Sequence, residues 1–534
     1  ERTRRDAFKP TPRARNLAYE FQFDPAQEFK GASNSFYLLG LEDENGKYLK
    51  ANYLEEFSDL PNGLIVLQMR QEFSDLITIV PDEHVNANPI PQSIYQVVED
   101  YESGQLERCA IIDFLNRSKP VIKNYKEGPI ASSNDPNQRL HQVINAVRNL
   151  DNSYLTIQGP PGSGKSHTGK HIIAELVKTG AKIGVSSNSH KAINNLLLST
   201  AKFCREEGIN ATFACTKETE PELIDAGVSI LNNNNLANHV EPGCVLGTTA
   251  WGFSRDDMSE QLDYLFVDEA GQVSIANLVA MSRSSKNLVL MGDQMQLGQP
   301  SQGTHPAESG LSILDYLLHD TPTISNDMGV FLGTTYRMHS AVNQFISTHI
   351  YDGKLESHPD NDKRTIKVPN DYKGTLNKEA GIIFSAVCHE GNTQASDEEV
   401  AEIETMVNQL LGRTFTELSD KSRPVTLDDM LFVAPYNHQV SKLKQVFGSQ
   451  AKVGSVDKFQ GQEAPIVFLS MCASDASESP RGLDFLFDKH RINVAISRAQ
   501  SLAIIVGNPR MVSTPVNRVD QLKTINLFNA LCME

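Results

Sequence analysis

From about residue 130 onward, short apolar runs alternate with longer segments in which apolar residues recur at helical spacing. Most of the runs end in a polar or glycine-rich turn, as strands of a parallel α/β sheet do. The runs form two series. The first series covers 154–158, 182–186, 245–249, 264–267 and 288–291, and the second covers 382–387, 431–434, 453–456, 466–471 and 502–506. We therefore predict an α/β fold with two parallel sheets.

Residues before this region follow another pattern. The runs 36–41 and 48–49 flank Asp43-Glu44-Asn45-Gly46, a typical hairpin turn, and 64–69 and 76–80 continue the strands. After a break rich in proline and asparagine, 94–115 has helical periodicity, interrupted near Gly104. We predict a small β unit with a helical arm over residues 1–125, followed by α/β domains at 126–330 and 331–534.

Composition narrows the class of protein. The longest apolar runs are far shorter than 18 residues, so we expect no membrane span. The 7 cysteines include no C-x-x-C pair, which favours a reducing compartment, and we predict a cytoplasmic protein. The net charge of −17 argues against broad phosphate neutralisation but allows a local basic groove. The basic cluster at 2–15 is either a solvated tail or a nucleic-acid contact, and we favour the tail.

The most specific motif is Gly159-Pro-Pro-Gly-Ser-Gly-Lys-Ser166, between a predicted strand and a predicted helix. Such a loop cradles phosphates with backbone N–H groups, and Gly159, Gly162 and Gly164 permit the close approach. Lys165 would reach the β- and γ-phosphates, and Ser166 would bind Mg²⁺. We predict a nucleoside triphosphate site with ATP and Mg²⁺ as its ligands.

Further motifs follow the ends of predicted strands. Asp268 and Glu269 end an apolar strand, where Asp268 would bind Mg²⁺ and Glu269 would deprotonate the attacking water. A surface acid pair is the alternative. Gln296 could hydrogen-bond a γ-phosphate. Tyr336 could stack on a purine, and Arg337 and a second arginine, Arg498, could neutralise charge that develops in phosphoryl transfer.

In this order, the motifs resemble those of a superfamily 1 helicase, over about residues 130–534. The chain looks most like the branch that holds the nonsense-mediated decay helicase and related DNA replication helicases. It is also similar to bacterial motors fused to RecB-like nucleases. The resemblance implies two tandem RecA-like P-loop domains, with a β-barrel-like insert and a helical stalk in the N-terminal region.

The resemblance also implies residue roles. Gln138 would read the adenine, with Gln142 as a rival, and Gln296 would sense the γ-phosphate. Gly461 and Glu463 would contact the γ-phosphate and ribose, while Arg337 and Arg498 would be the two arginine fingers. The residues implied in nucleic-acid binding are Asn188, His190, Lys191, Thr248, Thr249, Pro435 and Tyr436.

We therefore expect an ATP-dependent helicase or translocase on single-stranded nucleic acid, with DNA favoured over RNA. The 5′–3′ direction rests on the resemblance alone. A nuclease domain or partner protein is also expected from the relatives. One alternative is an ATPase that clamps nucleic acid without unwinding it. The other is a P-loop kinase or transporter-type NTPase, against which the second arginine-bearing domain argues.

Overall fold

The computed structural model describes the chain except residues 26, 28–33, 71–73, 83–84, 107, 126, 134, 219, 300–302, 320, 460, 478 and 517. The first unit is an antiparallel sheet. Its strands are β1 (Leu17–Gln22), β2 (Ser35–Glu42), β3 (Tyr48–Tyr53), β4 (Leu64–Met69) and β5 (Ile79–Pro81), in the order β1-β4-β3-β2-β5. The predicted hairpin joins β2 to β3, where Asp43 Oδ1 accepts the N–H groups of Asn45 and Lys47.

The basic N-terminal segment lies alongside β1. Bridges join Arg2 to Phe21 and Phe8 to Ala18, and the Arg5 guanidinium pairs with Glu20 at 2.8 Å. The prediction of a solvated tail is therefore wrong for residues 2–8, because their backbone extends the sheet.

The predicted helical arm consists of α1 (Ile90–Glu102) and α2 (Ala110–Leu115). Ser93 of α1 donates a buried hydrogen bond to the carbonyl of Ala280 at 2.6 Å. The arm therefore packs on the next domain.

Among its described residues, that domain contains eight parallel strands, in the order β13-β6-β12-β11-β7-β10-β8-β9. The strands are β6 (Tyr154–Gln158), β7 (Ile183–Ser186), β8 (Thr212–Cys215), β9 (Val228–Ile230), β10 (Cys244–Gly247), β11 (Leu262–Val267), β12 (Ser285–Gly292) and β13 (Gly329–Phe331). The helices are α3 (Pro136–Arg148), α4 (Lys165–Val177), α5 (His190–Glu206), α6 (Glu222–Asp225), α7 (Ala250–Phe253), α8 (Ile275–Ser282) and α9 (Ile313–Leu318).

The last part of the chain holds a second parallel sheet. It begins with β14 (Thr334–Thr335), α10 (Ser340–Ile350), β15 (Glu356–Ser357) and β16 (Thr365–Ile366). The elements that follow are β17 (Gly381–Ala386), α11 (Asp397–Leu410), β18 (Thr414–Thr416), β19 (Ser422–Pro424), β20 (Met430–Val433), α12 (Asn437–Phe447), β21 (Lys452–Gly454), β22 (Ala464–Ser470), α13 (Gly482–Leu486), α14 (Lys489–Ile496), β23 (Ala499–Gly507) and α15 (Val519–Cys532). The main sheet has the order β17-β23-β22-β20-β21.

The two parallel sheets confirm the predicted α/β fold class with tandem RecA-like domains. One buried apolar cluster continues from the first sheet into the second and includes Leu290, Tyr351 and Ile492. The two domains are therefore closed on each other. The boundaries at 125/126 and 330/331 remain predictions, and residue 126 lies outside the described residues.

Candidate functional site

The loop between β6 and α4 turns on glycine. Gly162 and Gly164 have φ angles of 72° and 80°, in the left-handed region that glycine adopts without steric penalty. Gly164 caps α4, and a helix N-terminus presents unpaired N–H groups to an anion. Ser166 lies exposed in the first turn, and a Cβ on Gly159 would lie 2.9 Å from that of Lys165. The loop therefore suits a bound phosphate.

Lys165 reaches from this loop to the acid pair at the end of β11. Its Nζ lies 2.8 Å from Glu269 Oε2 and 3.5 Å from Asp268 Oδ1. Burial alone would lower the pKa of Lys165, but the carboxylates outweigh it and raise the pKa, so the amine stays charged. Burial raises the pKa of Asp268 despite the lysine. A magnesium ion would compensate the same carboxylate charge.

Glu269 has a strained backbone. Its φ of 52° is in the left-handed region, which costs a non-glycine residue about 1–3 kcal/mol and is found mainly at functional sites. The conformation places the carboxylate at Lys165. This geometry is incompatible with the alternative of a plain surface acid pair.

The loop after β12 brings Gln296 to the same edge. Gln296 Nε2 donates to Asp293 Oδ2 at 2.9 Å, and the same oxygen accepts the Tyr351 hydroxyl at 2.6 Å. Burial raises the pKa of Asp293, although the hydrogen bonds oppose this shift. The amide predicted to sense the γ-phosphate is thus tied to a buried carboxyl group.

The second domain sits directly on the phosphate loop. Thr335 Oγ1 donates to the carbonyl of Pro161 at 2.9 Å, and the Tyr336 N–H donates to that of Gly162 at 2.9 Å. A Cβ on Gly162 would lie 2.5 Å from Arg337 Cβ. The loop can therefore accept Arg337 at this distance only with glycine at position 162.

Arg337 is oriented by the second domain. Its Nε lies 2.6 Å from Glu463 Oε2, and its Nη1 donates to the carbonyl of Ser497 at 3.1 Å. Partial burial would raise the pKa of Glu463, but Arg337 outweighs it and lowers the pKa. Gly461, with a φ of 81°, turns the chain two residues before Glu463. The contacts of Gly461 and Glu463 with ribose and phosphate remain predictions.

Arg498 is the least compensated cation of the site. It is 2% exposed, and its Nη1 donates to the carbonyl of Gln462 at 3.3 Å. Its Nε and Nη2 are buried and have no hydrogen-bond partner among the described residues. Burial, and then the charge of Arg337, lower its pKa to about 9, while Glu269 opposes the shift. A buried guanidinium with two unused donors suits an anionic ligand.

A cavity of about 500 Å³ adjoins the phosphate loop. Its wall includes Leu140 and Val143 of α3, His167 of α4 and Tyr336. It also includes Arg139, whose guanidinium Nη2 donates to the carbonyl of Phe331 at 2.5 Å. Apolar side chains with a tyrosine and a guanidinium suit a purine ring.

The structure separates the two glutamines proposed to read the base. Gln142 Oε1 accepts the N–H groups of Ser132 and Ser133 at 2.9 and 3.0 Å, so its amide holds the preceding loop. Gln138 is exposed in the first turn of α3, and its Oε1 accepts the Ser133 hydroxyl at 3.2 Å. Base recognition by Gln138 remains a prediction.

The predicted nucleic-acid residues of the first domain follow β7 and β10. Asn188 and Lys191 are exposed, and His190 is partly buried. Thr249 is partly exposed, whereas Thr248 is fully buried and its hydroxyl donates to Asn233 Oδ1 at 3.0 Å. The prediction of a direct contact is therefore wrong for the Thr248 side chain in this conformation.

Pro435 and Tyr436 line a groove of about 700 Å³ between the N-terminal sheet and the second domain. Phe23 and Tyr53 line the opposite wall. Next to the Tyr436 ring, the Phe485 ring contacts two guanidinium groups, those of Arg481 and Arg491, which lie 4.6 and 4.4 Å from its centroid. The groove combines aromatic and basic side chains, as single-strand binding sites do.

Two family models, both described as an AAA domain, match residues 143–303 and 311–510. The matched segments include the phosphate loop and the acid pair in the first, and both arginines in the second. The chain belongs to the superfamily 1 helicases, in the branch that holds the nonsense-mediated decay helicase. This family assignment confirms the resemblance inferred from the motifs.

Several curated proteins are similar to the chain. The DNA replication ATP-dependent helicase/nuclease DNA2 of Gallus gallus is 26% identical over 78% of this chain and 41% of the relative. The Regulator of nonsense transcripts 1 homolog of Drosophila melanogaster is 25% identical over 71% of this chain and 35% of the relative. The DNA polymerase alpha-associated DNA helicase A of Schizosaccharomyces pombe is 25% identical over 67% of this chain and 61% of the relative. The chain thus spans about a third to three fifths of these relatives.

Sequence reasoning missed Arg139, Asp293, Tyr351 and Asn493. Arg139 adjoins the glutamine motif, Asp293 precedes Gln296, and Asn493 lies in the motif that ends at Arg498, so three of them lie within recognised motifs. Tyr351 gives no such signal. Within the described part of the chain, no helix is long and apolar enough to cross a membrane.

Proposed function

We propose that the chain is an ATP-driven motor that moves along single-stranded nucleic acid. The observation that carries this proposal is the convergence of two domains on one site. Lys165, Asp268 and Glu269 come from the first domain, and Arg337 and Arg498 from the second. Such an arrangement makes closure of the cleft depend on the triphosphate.

Each side chain has a defined task in this proposal. Lys165 and the two arginines bind the phosphates, and Tyr336 with Arg139 holds the base. Ser166 and Asp268 would hold Mg²⁺, which supplies charge neutralisation at the phosphates. Glu269 takes the proton of the attacking water. Loss of the γ-phosphate removes the anion between the cationic side chains, so the domains separate.

The strand would pass through the groove at Pro435 and Tyr436 and across Asn188, Lys191 and Thr249. His190 would support this surface. Contacts of this kind are mainly to phosphate and sugar with some base stacking, so little sequence preference is expected. DNA is the favoured strand because two of the similar proteins reported above are DNA helicases by name. The 5′–3′ direction is proposed by family analogy only.

Two wider assignments belong to the same proposal. A nuclease domain or partner is proposed because one relative is a helicase/nuclease of which the chain spans 41%. A cytoplasmic location is supported by the 7 cysteines, all of which are free thiols.

The first prediction tests the motor proposal. ATP hydrolysis is measured with no polynucleotide, with single-stranded DNA and with single-stranded RNA. We expect DNA to raise kcat at least about tenfold, and Lys165→Ala to remove hydrolysis under all conditions because it removes a phosphate-binding charge. Equal rates with and without polynucleotide would reject the translocase. A strand-displacement assay on duplexes with a 5′ or a 3′ tail then separates a helicase from a clamp and reads the direction.

The second prediction concerns the groove. Arg491→Ala removes a cation that stacks on Phe485, so we expect weaker binding of single-stranded DNA. If one phosphate contact is lost, the slope of log K against log salt concentration falls by about 0.7. Fluorescence anisotropy of a labelled oligonucleotide over a salt series measures this slope.

The matched control is Arg510→Ala. Arg510 is exposed, pairs with Glu390 and does not line the groove. Both variants lose one positive charge, so an equal change in slope would mean that net charge and not the groove determines binding.

A further inference from the structure

Three buried side chains connect the two motor domains behind the nucleotide site. Asp293 follows β12 in the first domain, Tyr351 follows α10, and Asn493 lies in α14. Tyr351 and Asn493 are 0% exposed and Asp293 is 3% exposed. None of the three carries a role in the mechanism above.

The hydrogen bonds among them form a continuous path. The Tyr351 hydroxyl donates to Asp293 Oδ2 at 2.6 Å and accepts from Asn493 Nδ2 at 3.0 Å. Asn493 Nδ2 also donates to the carbonyl of Met295, at 2.7 Å, in the loop that carries Gln296. Gln296 itself donates to the same carboxyl oxygen of Asp293, at 2.9 Å.

The path links two side chains that are both predicted to act at the γ-phosphate, Gln296 and Arg498. Gln296 stands at one end. At the other end, α14 finishes at Ile496, two residues before Arg498. A change in the hydrogen bonds of Gln296 would alter the donors around Asp293, and with them the bond that reaches α14.

Stability alone explains this arrangement poorly. The path lies within an apolar cluster, and Asn493 Oδ1 has no hydrogen-bond partner among the described residues. Burying an unpaired amide oxygen is destabilising, and apolar side chains of the same size would avoid that penalty. The polar groups are better explained by a function that depends on their directional bonds.

We propose that Tyr351 and Asn493 are positioning residues that couple Gln296 to α14, the helix that precedes Arg498. In this scheme Arg498 reaches the γ-phosphate only when the hydrogen bonds described above are intact. Those bonds join Gln296, Asp293, Tyr351 and Asn493. The inference rests on the proposed function, because it assumes that Gln296 and Arg498 act on one γ-phosphate.

Tyr351→Phe tests the coupling because it removes one hydroxyl and keeps the ring. We expect kcat of DNA-stimulated ATP hydrolysis to fall at least about tenfold while KM for ATP changes less than about twofold. We also expect the effect of a non-hydrolysable ATP analogue on single-stranded DNA affinity to shrink, from about tenfold to below about threefold.

Tyr154→Phe is the matched control. Tyr154 is also fully buried, and its hydroxyl donates to the carbonyl of Ser118 at 2.7 Å, away from the path. If Tyr351→Phe unfolds, the same assays are made on Asn493→Ala, which tests the other end of the path. Asn343→Ala is its control, because Asn343 is also buried. Asn343 Nδ2 donates to the carbonyl of Leu355 at 2.8 Å.

A double-mutant cycle with Gln296→Ala separates coupling from independent damage. If the path transmits the state of Gln296, the double variant Gln296→Ala/Tyr351→Phe is no slower than the slower single variant, within about twofold. If the loss of rate in the double variant equals the product of the two single losses, the coupling is wrong. It is also wrong if the Tyr351→Phe enzyme is as fast as Tyr154→Phe. Neither result affects the proposed function. A wild-type enzyme without DNA stimulation rejects the proposed function, and the coupling falls with it.

Discussion

Arg498→Ala is expected to lower kcat of DNA-stimulated ATP hydrolysis by about 10³-fold, the effect typical of an arginine finger. In the structure this guanidinium is buried beside Arg337, and its Nε and Nη2 have no hydrogen-bond partner in the part of the chain that the structure describes. Such donors bind developing phosphoryl charge without reorganisation, and alanine leaves that charge unpaired. Steady-state hydrolysis at saturating ATP and DNA measures the loss.

Arg498→Lys is the informative companion. It keeps one positive charge but lacks the planar guanidinium with its several N–H donors, so we expect it to recover only a small part of the rate. An Arg498→Ala enzyme that retains more than about a tenth of wild-type kcat would show that this side chain does not take part in phosphoryl transfer.

Glu269→Gln is expected to lower kcat by about 10³-fold as well, but to leave ATP binding intact. The amide cannot take the proton of the attacking water. The substitution also removes the carboxylate whose Oε2 lies 2.8 Å from Lys165 Nζ, so the lysine amine is free to bind the phosphates. A fluorescent ATP analogue measures affinity, and rapid quench measures the chemical step.

Asp256→Asn is the control for this carboxylate-to-amide change. Asp256 is 91% exposed and pairs with Arg283 on the surface, where ion pairs contribute little. If Glu269→Gln lost ATP affinity together with rate, Glu269 would be organising the phosphate site and not accepting a proton.

The buried strands were predictable from sequence because each is a short apolar run with a clear end. The run 154–158 coincides with β6, and 64–69 coincides with β4. The strands β8 and β9, the last two at one end of their sheet, were not predicted, because strands of four and three residues with exposed positions give little pattern. Tertiary pairing determines such strands more than local sequence does.

In the site, too, the features that follow from local sequence were predictable, and those that depend on distant contacts were not. Lys165, Asp268 and Glu269 follow strands that are adjacent or nearly so, and their grouping follows from parallel topology. Three other features of the site depend on packing between distant segments. Arg498 Nε and Nη2 are buried with no hydrogen-bond partner among the described residues, Gln142 is committed to the loop at 132–133, and Thr248 faces inward. The Tyr351 contact with Asp293 joins residues 58 positions apart, and a single sequence carries no sign of it.

The most direct test is a structure of the full chain with Mg²⁺, ADP and aluminium fluoride, which imitates the phosphoryl group in transfer. We predict that Lys165 from the first domain and the guanidinium groups of Arg337 and Arg498 from the second all lie within about 3 Å of the fluoride atoms. A bound nucleotide held by Lys165 alone, with both arginines directed away from it, would contradict a motor driven from both sides of one nucleotide.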